Sequence, residues 1–81
     1  MSETYNGWKN RQTWNVALWI GNDEPLYRAA VEFARKCQSR AVYRHFVEDA
    51  GLAGSNTPDG IKWDGAKLDY ARLNEFMREL A

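Results

Sequence analysis

The chain is poor in the residues that most simply advertise chemistry: one cysteine, one histidine, and no surplus of either charge, with 11 Lys and Arg against 11 Asp and Glu. Cys37 alone cannot form an internal disulfide, and with His45 as the sole imidazole a zinc site of the usual Cys and His ligands cannot be assembled. A reducing, cytoplasmic setting is expected. A net charge of zero leaves no field of one sign over the whole chain, either to steer it toward DNA or to imitate DNA. The longest apolar run, residues 16–20, is far below the roughly 20 residues of a membrane helix. The first seven residues are polar and do not read as a secretory signal. Phosphate-binding glycine loops, metal motifs and nucleophile elbows are all missing. The one conceivable nucleophile and base, Cys37 and His45, fall on segments that read as different helices, and Cys37 lies on an apolar stripe. The adjacent acids Asp23 with Glu24 and Glu48 with Asp49 sit at a helix start and end, where capping and solvation explain them. No catalytic residue, cofactor or metal is expected.

What the chain does have is tryptophan. Trp8, Trp14, Trp19 and Trp63 supply roughly 150–250 Å² of apolar surface each if buried. That is how one small core could hold without a cross-link, since a domain of this size buries only about 60% of its unfolded surface. With 44% hydrophobic and 27% charged residues, the composition is that of a globular chain. One domain over residues 1–81 is expected, with 1–9 a partly ordered N-terminal segment.

The periodicity predicts an all-α fold, a compact bundle of about four short helices with an extended, Trp-anchored segment before the last. Asn10 is a good N-cap for a first helix over residues 11–20, ended by Gly21. Its apolar residues cover most of the circumference and leave a narrow polar wedge of Arg11, Gln12 and Asn15, into which Trp19 falls. Residues 22–24 cap a second helix running to about residue 38, with Pro25 in its first turn and Leu26, Ala30, Phe33, Ala34 and Cys37 as its buried stripe. Ser39 can cap a third helix over 40–50, closed by Gly51 in a Schellman ending; a single bent helix over 25–50 is the other reading, and two are preferred. Residues 53–60, AGSNTPDG, read as a loop. Trp63 should anchor the extended stretch behind it. Asp69 caps the last helix, residues 70–80, and Leu68 can staple onto Leu73.

Two features could carry binding. Arg11, Asn15 and Trp19 together have the composition of an interface hot spot. Lys36, Arg40 and Arg44, spaced by four with Arg35 beside them, would form a basic ridge on a continuous helix, suited to an acidic protein face or to phosphates.

The pattern N-G-W-x-N-R-x-T-W-x-V-x-L-W, carried here by Asn6, Gly7, Trp8, Asn10, Arg11, Thr13, Trp14, Val16, Leu18 and Trp19, resembles that of a family of small proteins met in phages, prophages, plasmids and assorted bacteria. The likeness continues through Asn22 to Glu24, Thr57 to Gly60, Trp63, and Leu73 to Glu75. It brings no established activity and no assigned residues. It implies company, because small non-enzymatic proteins of mobile elements often inhibit host defences such as restriction and CRISPR. The chain departs from the commonest such inhibitors in lacking net acidity, which argues against DNA mimicry. The expectation is therefore a protein-binding inhibitor, anti-CRISPR or otherwise anti-defence, acting on a host protein or complex. The alternative is a nucleic-acid-binding accessory protein using the basic ridge. No membrane partner is expected, and the oligomeric state is left open.

Overall fold

Four α-helices form the framework of residues 7–81, the part of the chain that this computed structural model describes. The fold is all-α, as the periodicity predicts; the expectation for residues 1–6 lies outside the described residues. Helix α1, Arg11–Asn22, starts where Asn10 accepts a hydrogen bond from the Thr13 amide at 2.8 Å. It runs two residues past the expected end, because Gly21 stays helical and the stop is set by Asp23. The Asp23 N–H still bonds Trp19 O, while its carboxylate accepts from the Leu26 amide at 3.1 Å. One residue thus closes α1 and opens α2, Glu24–Lys36, with Pro25 where a missing N–H costs nothing.

Between α2 and α3, Val42–Asp49, the chain breaks as the two-helix reading requires, since Cys37 is extended at φ −85° and ψ 126°. The break has a physical cause on α4, Tyr70–Leu80. The Arg78 guanidinium donates to the carbonyls of Ala34 (3.1 Å), Cys37 (2.6 Å) and Ser39 (2.5 Å), taking the place of partners that a continuing helix would have supplied. Helix α3 begins two residues later than expected, and Ser39 is not its cap. The Ser39 hydroxyl instead accepts from the Ala41 amide in a local turn. The open Tyr43 N–H of the first turn is met from across the fold by Asn74 Oδ1 at 2.9 Å. The other end of α3 is the expected Schellman motif: Gly51 turns at φ +73°, and Leu52 N–H reaches back to Val47 O at 2.9 Å. Asp69 caps α4 through the Arg72 amide, and Leu68 and Leu73 are both buried in the core.

Helices α2 and α4 pack on each other and on both remaining helices, so α1 and α3 lie apart on this central pair. Val16, Ile20, Ala30, Val42, Leu73 and Met77 are fully enclosed. The long connection before α4 is closed on itself by a bridge between Asn56 and Lys62 and lies against this bundle through Trp63, which is 4% exposed. The fully buried Tyr43 donates its hydroxyl to Trp63 O at 2.6 Å. Burial first, then the neighbouring Tyr70 and Asp64, push that phenol far above its ordinary range, so it stays a donor.

Candidate functional site

The polar wedge of α1 is covered at Asn15, which corrects the reading of that residue as part of a docking hot spot. Asn15 is fully buried. Its Oδ1 accepts from the Thr57 hydroxyl at 2.7 Å and its Nδ2 donates to Asp59 Oδ2 at 2.7 Å. A carboxylate can only accept, so the orientation of the amide is fixed by its partner. Trp19 is half-buried and donates its indole N–H to the same Asp59 oxygen at 2.9 Å. Arg11 stays exposed, and its charge adds to the attraction on Asp59. The three residues singled out as a hot spot therefore converge on one carboxylate of the 53–60 loop. A helical wheel places Asn15 and Trp19 outside because it sees only helix neighbours, whereas here a loop covers that side with matching acceptors and donors.

Asp59 was missed. Its place in T-P-D-G marked a turn, and nothing in the local pattern says that its carboxylate would reach a helix some forty residues earlier. Its carboxyl is held below the ordinary range, first by the hydrogen bond from Asn15 and then by that from Trp19. The loop is set for this role by its own bonds: Thr57 N–H to Ile61 O at 2.7 Å and Gly60 N–H to Thr57 O at 2.8 Å, with Gly60 at φ +85°. Other polar residues of the first motif do similar work. The buried Thr13 donates its hydroxyl to Asn10 Oδ1 and accepts from the Asp69 amide, and Asn10 Nδ2 reaches Lys67 O at 2.7 Å. Trp8 meets Phe76 edge-on at 5.6 Å and lies 4.6 Å from the Arg72 guanidinium, so the chain is anchored already at that residue. The motif segment is tied to the region before and within α4.

The basic ridge is likewise dispersed, because it required one helix through residues 36–44. Lys36 ends α2 and pairs with Glu32 at 3.1 Å. Arg40, in the break, borders a depression with Asn74, Glu75, Arg78 and Glu79. Arg44 packs its guanidinium over the Tyr70 ring at 5.2 Å, beside a different hollow. Only Arg35 and Lys36 remain together.

Arg35 and Lys36 belong to a face that the sequence did not single out. Tyr27, 41% exposed, is the one large hydrophobic side chain left open among the described residues. With Val31, Leu80, Arg28, Glu32, Arg35 and Lys36 it lines an open groove of about 660 Å³ along α2, three cations against one acid. Arg28 is engaged by Glu24 at 3.2 Å and Lys36 by Glu32, whereas no acidic partner among the described residues pairs with Arg35. Tyr27 and Arg35 stand two turns apart on one face of the helix.

Cys37 is half-buried and His45 exposed, both bordering another shallow groove, with no hydrogen bond between them among the described residues. His45 Nδ1 lies 4.0 Å from Glu48. Among the described residues, no three His, Cys, Asp or Glu side chains gather closely enough to hold a metal ion. No helix there is long and apolar enough to cross a membrane.

A family model matches residues 1–81, and the chain belongs to that family of unknown function, DUF7249. Comparison with curated proteins and with solved structures gave no match.

Proposed function

We propose that this chain is a small non-enzymatic binding protein of a phage or other mobile genetic element, which docks on a host protein complex and blocks it sterically, as an anti-CRISPR or other anti-defence protein does. The observation that carries the docking is the exposed Tyr27 set among Arg28, Arg35 and Lys36 over an apolar floor of Val31 and Leu80. Tyr and Arg are the residues enriched where binding energy concentrates, and here both are presented on a rigid helix. The occupant is an acidic protein surface bearing an apolar side chain: a carboxylate meets Arg35, which no acid among the described residues engages, while the apolar group fills the notch beside Tyr27. The mobile-element origin is supported by the motif resemblance.

Phosphate binding is less well served, because Arg40 and Arg44 lie apart from Arg35 and Lys36, and Glu24 and Glu32 stand among the cations of α2.

Affinity capture from host lysate after nuclease treatment tests the proposal. A partner held by the wild type should be lost by both Tyr27→Ala and Arg35→Glu, each with helical content unchanged by circular dichroism. Retention of that partner by both variants removes the α2 face. Binding that survives only with nucleic acid present, and falls steeply with salt, replaces the protein partner with a polyanion.

A further inference from the structure

Two Asp-Gly pairs occur in the chain, Asp59-Gly60 and Asp64-Gly65, and the fold treats them differently. In such a pair the backbone nitrogen of the glycine can attack the aspartyl Cγ, because glycine has no side chain to obstruct the approach. A C–N bond forms, the Cγ–O bond breaks, and the departing hydroxyl leaves as water with the amide proton. Water then opens the five-membered imide at the former backbone carbonyl, giving an isoaspartyl link of unchanged composition. Attack needs the carboxyl to swing over the glycine nitrogen, and it goes faster from the neutral acid than from the carboxylate.

We infer that Asp59-Gly60 is a latent isomerisation site, kept closed in the native fold by the clasp of Asn15 and Trp19 on the Asp59 carboxylate. Both reacting groups are restrained. The carboxylate is held on α1 by two side-chain donors at 2.7 and 2.9 Å, and the Gly60 N–H is bound to Thr57 O at 2.8 Å. The same donors favour the ionised carboxylate, the slower-reacting form. Asp64 has a lighter restraint, a single backbone donor, Gly54 N–H, at 3.1 Å, with the Gly65 N–H only 3.3 Å from Lys62 O. Neither Asn15 nor Trp19 donates to it, so it serves as an internal reference. Isomerisation would also be self-propagating: the extra methylene moves into the backbone, the carboxylate no longer meets both donors, and the buried Asn15 amide loses its acceptor. An opened clasp would stay open.

Ageing the purified full chain at mildly acidic pH, where part of the aspartate is in the neutral form, followed by peptide mapping for isoaspartate at each pair, tests this. Folded wild type should accumulate isoaspartate at residue 59 several-fold more slowly than the same chain in urea. Asn15→Ala and Trp19→Phe should each speed the reaction at 59 several-fold while leaving 64 at its wild-type rate. Equal acceleration at both positions in both variants would mean general loosening of the fold and would overturn the local clasp. So would a wild-type rate at 59 in both variants, or a rate at 59 in folded wild type equal to that in urea.

Discussion

Asn15 and Asp59, 44 residues apart, are joined by a 2.7 Å hydrogen bond from a fully buried amide to a carboxylate at the protein surface. The bond turns the polar side of α1 from a candidate docking face into a seam. It also makes the T-P-D-G loop a structural counterpart of the tryptophan-rich first helix.

Replacing Asn15 by alanine leaves the buried Thr57 hydroxyl without its acceptor and takes one donor from Asp59. Stability should fall by about 1–3 kcal/mol, the usual range for stranding a buried polar group. Urea unfolding followed by tryptophan fluorescence measures it. Trp19→Phe keeps an aromatic ring, loses the indole donor and part of the packing, and strands no buried polar group, so its effect should be smaller.

Asp59 also gives the fold a predictable acid response. Its folded carboxyl lies below the ordinary aspartate value, so its contribution is fully present above that value and is lost as pH falls through the lower folded one. As pH falls below about 4 the wild type should progressively lose its stability advantage over Asp59→Asn, which has no carboxyl to titrate. Parallel pH profiles for the two chains would show that the clasp does not favour the ionised form.

Arg78 organises the break between α2 and α3. Arg78→Ala should cost about 1–3 kcal/mol, because three carbonyls lose a charged donor. Arg78→Lys should recover only part of this, since an ammonium cannot span the same fork. Thermal unfolding of the two variants against wild type gives the order.

Trp8 holds the start of the described chain onto α4 through Phe76 and Arg72. Trp8→Ala should lower stability by about 1–2 kcal/mol through loss of an aromatic pair and a cation–π contact. Hydrogen exchange should report the change first at the amides of α4 nearest Arg72.

Helix number, type and most caps were legible in the sequence because they are local: Asn10, Asp23, Asp69 and Gly51 act within a turn of their own position. The errors fall where a distant side chain decides. Helix α3 starts at Val42 because Asn74 meets the Tyr43 amide and Arg78 occupies the carbonyls ahead of it, and neither partner can be read from residues 37–42. The reading of Asn15 as a docking residue errs for the same reason. Arg11, Asn15 and Trp19 were correctly grouped on one side of α1, but the Asp59 that claims them comes from a loop whose composition announces only a turn. The ridge of Lys36, Arg40 and Arg44 depended on helical continuity across the Arg78 cap. Tyr27 was passed over because exposure is a property of packing, and its helix reads as an ordinary amphipathic one.

The central claim is that the polar residues of the first helix are spent on holding the loop. A double-mutant cycle in urea unfolding, with Asn15→Ala, Asp59→Ala and the pair, tests it most directly. The account predicts that the double variant is much less destabilised than the sum of the single changes, because either one already opens the clasp. Additive effects would contradict it, and would return Asn15 and Asp59 to independent roles.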